Sequence, residues 1–302
     1  WSRGLGDVYK RQLLNPWFDR DLSIAGRVVC QSVEGELSSH LIDLKRPVAF
    51  IPSLAIHLDK EANKNRTIDP QTDLSPVVLQ LNKNQELREV LQKECLNEEL
   101  IIIDYELYLY DSLGATEVGL QNEFFSSGRL DNLLSCFSGV EALSRADSKH
   151  FCVLVCNDHE EVGSISACGA SGSFLESVFE RIFVSKPLSS VFTSSMFISC
   201  DNAHAVHPNY KKQHDFWHQP VLNGGLVIKV NAKHRYATTS LTSSIFKKIC
   251  LNADVPVQTF VSRNDLSCGS TIGPITSARF GIPRIDVGIP QLAMHSCRET
   301  AV

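Results

Sequence analysis

The chain has 302 residues, of which 43% are hydrophobic and 21% are charged, and its formal net charge is −5. This ordinary globular composition fits two domains or one large domain that carries an insertion. There is no basic excess and no apolar run near the roughly 20 residues that span a bilayer, so neither nucleic acid nor a membrane is an expected partner.

The first part of the chain, up to about residue 124, is predicted to be rich in strands. Short apolar or alternating stretches indicate strands, and Leu87, Val90 and Leu91 at i, i+3, i+4 spacing indicate a helix. The predicted strands cover residues 26–30, 41–44, 47–58 (interrupted by Pro52) and 100–110, the helix covers 85–95, and a loop covers 63–73.

After about residue 125, predicted strands alternate with predicted helices. The strands cover residues 151–156, 196–200, 226–230 and 284–287, and the helices cover 131–146, 173–183 and 240–252. This order predicts an α/β architecture, a sheet covered by helices. Acidic or imidazole residues follow three of the strands, and ligands of open α/β sheets bind beyond the carboxyl ends of the strands. The motifs described below are therefore expected to converge on one edge of the sheet.

The chain contains ten cysteines and no Cys-x-x-Cys pair. Several cysteines lie inside apolar runs, where a thiol behaves as a small hydrophobic group. We interpret them as reduced, buried, structural residues of a cytoplasmic protein, since no secretory signal is visible.

The two ends of the chain are unusual. Residues 1–12 (WSRGLGDVYKRQ) match neither a targeting segment nor the sequence that follows, and we interpret them as an artefactual leader from a cloning or sequencing adaptor. The chain stops at Ala301 and Val302, directly after a motif, which we interpret as a fragment of a longer protein.

Two adjacent glutamates, Glu160 and Glu161, follow a predicted strand in the segment NDHEEVGS. Neighbouring side chains in a strand or turn point to different sides, so one carboxylate can bind a metal while the other faces a substrate. Metal-assisted hydrolysis needs this division between a ligand and a proton acceptor. A solvated acidic loop is the alternative for this segment taken alone.

Three further residues have metal-binding chemistry. Asp201 follows an apolar strand and precedes His204 and His207, Asp131 begins a predicted helix, and His295 follows a strand and a Pro-Gln turn. Taken singly, both aspartates are also typical helix caps, and a lone histidine is also a common structural or surface residue.

Together these segments supply three carboxylates and one imidazole as ligands, and a fourth carboxylate as a base. Oxygen and nitrogen ligands suit zinc, or cobalt or manganese. Two metals bridged by one aspartate would need about this set and one more ligand.

The segments resemble those of the aspartyl aminopeptidases, a family of cytosolic dinuclear zinc metallopeptidases. The resemblance runs from about Trp17 to beyond Met294. It is carried by eight long and highly specific motifs: NPWFDRDLSIAGRV, RPVAFIPSLAIHLD, FSSGRLDNL, NDHEEVGS, SCDNAHAVHPNY, VIKVNAKHRYAT, SCGSTIGP and QLAMHSCRE.

The resemblance implies roles for the five residues of the expected centre. Asp131 would bridge two zinc ions, Glu161 and His295 would complete one metal site, and Asp201 would bind the other ion. Glu160 would be the general base that activates the bridging water.

Three further residues receive roles on the substrate side from the same resemblance. His57 would reach into the active site of a neighbouring subunit. Lys229 would suit the acidic side chain of an N-terminal Asp or Glu, and Tyr236 would support the tetrahedral intermediate.

The resemblance also implies the domain organisation. Residues 13–124 would be an inserted, strand-rich oligomerisation domain, and residues 125–302 an incomplete catalytic domain of the zinc-peptidase type, with a mixed sheet flanked by helices. Members of the family assemble from dimers into tetrahedral dodecamers, so a large homo-oligomer is expected.

The chain departs from the family pattern in two places. The family has a further metal-binding histidine upstream of the inserted domain, for which no matching segment is present, and His40 lies in no similar motif. His159 stands where some members have asparagine.

The sequence therefore predicts a cytoplasmic metallo-aminopeptidase that prefers N-terminal Asp or Glu. Two alternatives stay open: a catalytically inactive fragment or scaffold that lacks one metal ligand, and a related dinuclear hydrolase that acts on non-peptide amides.

Overall fold

The computed structural model describes residues 12–80, 86–96, 100–147 and 149–302. These residues form two compact units, one made of residues 12–115 and the other of residues 116–302. Among the described residues, no helix combines the length and apolarity needed to cross a membrane.

The first unit is built on a three-stranded antiparallel sheet with one helix. Its elements are β1 (Leu22–Ser32), β2 (Leu37–Asp43), α1 (Leu87–Cys95) and β3 (Leu100–Asp111). The strand order is β2-β1-β3, and a bulge between Val29 and Cys30 shifts the register of β1 against β3. A core of five buried side chains lies between sheet and helix: Val28, Cys30, Ile42, Leu91 and Ile102.

Helix α1 is fixed at its start and along its length. Glu86 and Glu89 form a reciprocal capping box, which satisfies backbone N–H groups that a helix start leaves free. Leu91 is 1% exposed. The Gln92 side chain accepts a hydrogen bond from the backbone N–H of Ile102 (2.9 Å) and donates one to the carbonyl of Leu100, so it joins the helix to β3.

The strand predicted over residues 47–58 is mostly wrong. Ala49 and Phe50 make single bridges to Leu22 and Val77, but residues 51–58 form no strand and end in a turn. Pro52 lacks a backbone donor, which disfavours continued pairing at this position.

The second unit contains the larger set of elements. In chain order they are β4 (Thr116–Val118), β5 (Phe124–Ser127), α2 (Leu130–Arg145), α3 (Phe174–Ile182), α4 (Leu188–Thr193), β6 (Phe197–Cys200), β7 (Ala203–His204), β8 (Leu226–Val230), α5 (Ser240–Asn252), β9 (Val257–Val261), α6 (Ile272–Phe280), β10 (Arg284–Gly288), β11 (Pro290–Gln291) and β12 (Glu299–Ala301). Short 3₁₀ helices cover Asn15–Trp17 in the first unit, and Glu160–Val162 and Lys211–Gln213 in the second.

The main sheet of the second unit is mixed, with strand order β6-β10-β8-β9. Strand β10 is parallel to β6 and antiparallel to β8, and β8 is parallel to β9. Helix α5 begins at the capping residue Thr239 and turns Thr242, Phe246 and Cys250 inward at i, i+4 and i+8. Phe246 and Cys250 pack there with Ile228, Ile285 and Val287 of the sheet.

Two smaller sheets complete the second unit. Strands β7 and β11 pair in parallel, and β12, β5 and β4 form an antiparallel sheet in that order. Because β7 follows β6 directly and β11 follows β10, the pairing of β6 with β10 continues past a short break.

Asp286 is a fully buried carboxylate in the central strand β10. It accepts hydrogen bonds from the Thr271 hydroxyl (2.5 Å) and from the backbone N–H of Ala237, and its own N–H donates to the Thr238 hydroxyl. These bonds join the loop after β8 and the start of α6 to the middle of the sheet.

The predicted α/β class is confirmed, and most predicted elements of the second unit are present. The strand over 226–230 and the helix over 240–252 are found with those bounds. The strand over 151–156 is wrong: in the described part of the chain no strand pairs with it, and Phe151 instead contacts the ring of Phe183, with ring centroids 5.3 Å apart. An apolar run cannot by itself specify a partner strand.

None of the ten cysteines forms a disulfide. Cys30, Cys250 and Cys297 are buried, as predicted. The expected burial is wrong for four others, which are exposed: Cys152, Cys156, Cys168 and Cys200.

We expect Gly26→Ala to destabilise the first unit, because a Cβ at Gly26 would lie 2.0 Å from the carbonyl oxygen of Glu106 on β3. Overpacking of this kind costs about 1–3 kcal/mol. The free energy of unfolding from urea titration measures the effect. Gly114→Ala is the matched control, since a Cβ there has no atom within 4 Å, and equal stability of the two variants would contradict the prediction.

Candidate metal centre

Three predicted ligands of the second unit meet at one point. His295 Nε2 lies 3.2 Å from Asp131 Oδ2 and 3.1 Å from Glu161 Oε1. One ligand atom from each residue lies within 4.8 Å of the others. They come from the start of α2, from the 3₁₀ helix Glu160–Val162 and from the loop between β11 and β12.

The chemistry of this group fits a divalent cation. Its donors are two carboxylate oxygens and one imidazole nitrogen, which is a common set for zinc. The Asp131 side chain is only 4% exposed, and its Oδ1 atom has no hydrogen-bond partner among the described residues. A buried carboxylate oxygen without a donor is costly unless a cation compensates it.

Asp131 leaves the helical conformation at the beginning of α2. Its backbone angles are φ −83° and ψ 107°, and regular helix follows only after Asn132. The Asn132 side chain donates a 2.9 Å hydrogen bond to the carbonyl of Cys200, at the end of β6. The start of α2 is therefore tied to the strand that precedes Asp201.

A further carboxylate, Glu299 on β12, holds two of these ligands by their backbones. Glu299 is 2% exposed. Its Oε2 accepts a 2.8 Å hydrogen bond from the N–H of Asp131, and its Oε1 accepts a 2.6 Å bond from the N–H of His295. Burial raises the pKa of Glu299, and these hydrogen bonds oppose the rise.

Asn202, which follows Asp201, is a second buried connector. It is 1% exposed, and its amide donates to the Leu130 carbonyl (2.7 Å) and to the Gln291 side chain (2.8 Å). Ser135 on α2 donates to its Oδ1 at 3.3 Å. The Asn202 side chain thus joins the start of α2, which carries Asp131, to β11, which precedes His295. Asn202 itself directly follows Asp201 at the end of β6.

Asp201 lies beside a buried lysine. Lys229 on β8 is 3% exposed, and its Nζ lies 2.9 Å from Asp201 Oδ2. The same ammonium lies 5.4 Å from the centre of the Tyr236 ring, and Tyr236 is 5% exposed. Burial, and then a contact with Cys268, raise the pKa of Tyr236. Lys229, itself a predicted substrate-side residue, therefore connects the predicted ligand Asp201 with Tyr236, the other predicted substrate-side residue of this unit.

Two carboxyl groups of the centre, those of Asp131 and Glu160, have a raised pKa. Burial raises the pKa of Asp131 to about 7, and the charges of Asp201 and Glu161 add to the rise, while a hydrogen bond from His295 opposes it. Burial also raises the pKa of Glu160 to about 7, with further contributions from Asp201, Glu161 and Asp131. A carboxylate with a pKa near neutrality is suited to accept and then return a proton.

Four other histidines that the sequence singled out are not members of the group Asp131, Glu161 and His295. His57 belongs to the first unit, where it is exposed in a turn. His204 packs edge-on against Phe260, and His207 packs on the ring of Tyr210. His159 contacts the Ser166 hydroxyl at 2.8 Å.

Sequence reasoning missed Glu299 and Asn202. Both lie in motifs that carry a predicted ligand, QLAMHSCRE and SCDNAHAVHPNY. The signal that the sequence offered was a carboxylate or amide side chain within a few residues of a predicted ligand. This signal does not say which residue the side chain contacts. Glu299 bonds to His295, four residues away in the sequence, and to Asp131, 168 residues away.

We expect the metal-free chain to lose stability as pH rises from about 4.5 to about 7. Glu160 has a folded pKa of about 7 against an ordinary value of 4.5, so the folded state keeps a proton that the unfolded chain releases in this window. Glu160→Gln removes the part of this dependence that Glu160 contributes, whereas Asp131, whose pKa is also raised to about 7, retains its own part. Thermal unfolding in the presence of a chelator should show the variant equal to wild type near pH 4 and more stable at pH 8, by about 1 kcal/mol after solvent screening.

Glu180→Gln is the control, since Glu180 is exposed on α3. An advantage of Glu160→Gln that is the same at pH 4 and pH 8 would contradict the assigned shift.

In comparisons with known families and proteins, the chain matches one family consistently. A family model described as aminopeptidase I zinc metalloprotease (M18) matches residues 7–302. A probable M18 family aminopeptidase 2 of Pseudomonas fluorescens strain Pf0-1 is 49% identical over 309 residues, which cover 99% of this chain and 71% of that protein.

Solved structures give the same result. A chain in the structure of the complex of Ape4 and Nbr1 matches with a TM-score of 0.91 and 39% identity, over 98% of this chain and 62% of that chain. The mApe1 dodecamer of S. cerevisiae matches with a TM-score of 0.77 and 28% identity, over 96% of this chain and 67% of that chain. The present chain thus spans about two thirds of the length of these relatives.

Proposed function

The chain belongs to the M18 family of zinc aminopeptidases, and from this premise we propose that it removes N-terminal residues from peptides, with a preference for Asp or Glu. The observation that carries the proposal is the convergence of Asp131, Glu161 and His295 beside a glutamate, Glu160, whose pKa is raised to about 7. This arrangement supplies both a cation site and a proton acceptor, which hydrolysis of an unactivated amide requires.

Two zinc ions are proposed, with cobalt or manganese as substitutes. Asp131, Glu161 and His295 would hold one ion, and Asp201 would hold a second ion that shares Asp131. Bound zinc polarises a carbonyl and lowers the pKa of water to about 7. The unpartnered oxygen of Asp131 supports the sharing, since it leaves a second acceptor atom for a cation.

Glu160 is proposed as the general base. It would accept the proton of the attacking water and deliver it to the leaving amine, because the protonated amine is a good leaving group. In the metal-free chain burial raises its pKa to about 7, and a carboxyl group with raised proton affinity supports this role.

Lys229 and Tyr236 are proposed to select and support the substrate. A buried ammonium favours a carboxylate on the substrate, because its charge is poorly screened by water. The Tyr236 hydroxyl would donate a hydrogen bond to the oxyanion of the tetrahedral intermediate, and its raised pKa keeps it protonated for this purpose.

Assembly and location belong to the same proposal. The matched S. cerevisiae protein is described as a dodecamer, which supports the proposal that this chain also assembles into a large homo-oligomer. His57 would then act in the active site of a neighbouring subunit. Ten free cysteines support a reducing, cytoplasmic location.

We expect zinc-loaded protein to cleave Asp- and Glu-anilides faster than Leu-anilide, measured as kcat/KM. Lys229→Met should lower the Asp-to-Leu ratio about tenfold or more, because the variant loses the charge that attracts the acidic side chain. Lys233→Met is the matched control on an exposed lysine. Cleavage of acyl-amino acids with none of the anilides would favour a different dinuclear hydrolase, and an unchanged ratio would remove Lys229 from the specificity site.

We expect Glu160→Gln to keep zinc and to lose activity. Loss of a general base typically lowers kcat by about 10²–10⁴-fold. Zinc content after dialysis and kcat on Asp-anilide are the two measurements, with Glu180→Gln as the control. Full activity in a zinc-loaded Glu160→Gln protein would exclude Glu160 as the base, and zinc-loaded wild type without activity would favour the scaffold alternative.

A further inference from the structure

We propose that Glu299 is the positioning residue of the metal centre: its single carboxylate spans the backbones of Asp131 and His295 and thereby sets the distance between these two ligands. The inference rests on the proposed function, because it assigns Glu299 a role toward the same zinc site. Glu299 itself does not point a donor at the cation, since both of its oxygens face backbone N–H groups.

Both oxygens of Glu299 are engaged at short distance. Oε2 accepts from Asp131 N at 2.8 Å, and Oε1 accepts from His295 N at 2.6 Å. Hydrogen bonds to a carboxylate are stronger than those between neutral groups, and burial at 2% exposure protects them from competition by water. The two ligand backbones are thus held to one rigid three-atom group.

The backbone of Glu299 is itself fixed, so the carboxylate has a firm base. Glu299 pairs with Ser127 in the antiparallel ladder of β12 and β5. The buried hydroxyl of Ser126 donates a 3.1 Å hydrogen bond to the Glu299 carbonyl. Strand β5 leads into α2, which carries Asp131. Glu299 lies on β12, the strand that pairs with β5, so the sheet connects the Asp131 segment to the side chain that holds it.

His295 has particular need of such a contact. Its φ is 65°, in the left-handed region that costs a non-glycine residue free energy. His295 follows β11 in a loop and not within a strand or helix. A bond from its N–H to a buried carboxylate stabilises this conformation and therefore the direction in which the imidazole leaves the backbone.

Glutamate is required here by its acceptors as well as its length. A carboxylate only accepts hydrogen bonds, whereas a glutamine places an NH₂ group against one of the two N–H donors. Glu299→Gln therefore keeps the shape and breaks one end of the bridge. Glu299→Asp keeps the charge but shortens the side chain by one methylene, so the carboxylate no longer reaches both amides.

The test compares zinc affinity in full-length wild type, Glu299→Gln and Glu299→Asp, by competition with a chromophoric chelator. Second-layer contacts to metal ligands are worth about 10–100-fold in affinity, and we expect a loss in this range for both variants. Glu117→Gln is the matched control, because Glu117 is an exposed glutamate on β4 of the same sheet. It should bind zinc as wild type does.

Thermal unfolding of the metal-free proteins separates positioning from general support of the fold. A variant that melts near wild type and binds zinc 10–100-fold more weakly supports the proposal. Wild-type zinc affinity in either variant overturns it. If Glu299→Gln does not fold, the decision rests on Glu299→Asp, which retains the buried charge.

Peptidase activity is read separately on the zinc-loaded proteins. Wild type that binds zinc but cleaves no N-terminal residue defeats the proposed function, while the affinity difference between wild type and the Glu299 variants still decides the role of Glu299.

Discussion

The main physical constraint on the centre of the second unit is that several carboxylates, which repel one another, lie close together in a partly buried site. Burial raises the pKa of Asp131 and of Glu160, and the repulsion from the neighbouring carboxylates Glu161 and Asp201 adds to the rise. Such a group persists in a folded chain only when protons, ammonium groups or cations compensate it. Lys229 supplies one positive charge next to Asp201, and the protonation of Asp131 and Glu160 near neutral pH lowers the charge further in the absence of metal.

The surrounding fold is arranged so that this repulsion does not push the ligands apart. Two of them, Asp131 and His295, are held through their backbones by a buried polar side chain that is not itself a predicted ligand. Glu299 holds the two ligands at the start of α2 and before β12, and Asn202 joins α2 to β6 and β11. Glu299 bonds to backbone N–H groups, whereas Asn202 bonds to the backbone carbonyl of Leu130 and to the side chains of Gln291 and Ser135.

The sequence was informative wherever a local pattern decides the structure. The strand at residues 226–230 is an apolar run interrupted only by Lys229, and the helix at 240–252 combines a cap with inward residues at i, i+4 and i+8, so both were predictable. The strand at residues 151–156 was not, because an apolar run has no means of stating which strand lies beside it. Helix α6 was missed because Gly273 and Pro274 mask its first turn, where proline is tolerated.

The same distinction applies to the centre. Residue types and family motifs pointed to Asp131, Glu161 and His295, and these three side chains lie together. Glu299 and Asn202 could not be predicted, since their roles depend on hydrogen bonds to residues up to 168 positions away. A ligand is recognisable from its chemistry, but the residue that orients a ligand is recognisable only from its contacts.

The ion pair between Lys229 and Asp201 has a consequence for the order in which the centre fills. Asp201 enters a coordination sphere only if its oxygen, now 2.9 Å from the Lys229 ammonium, exchanges one positive partner for another. The group of Asp131, Glu161 and His295 has no such exchange to make with a lysine. We expect the second of the two proposed ions, which would compete with the Lys229 ammonium for Asp201, to bind more weakly than the first. The second proposed position would then fill only at a higher free concentration of metal than the first.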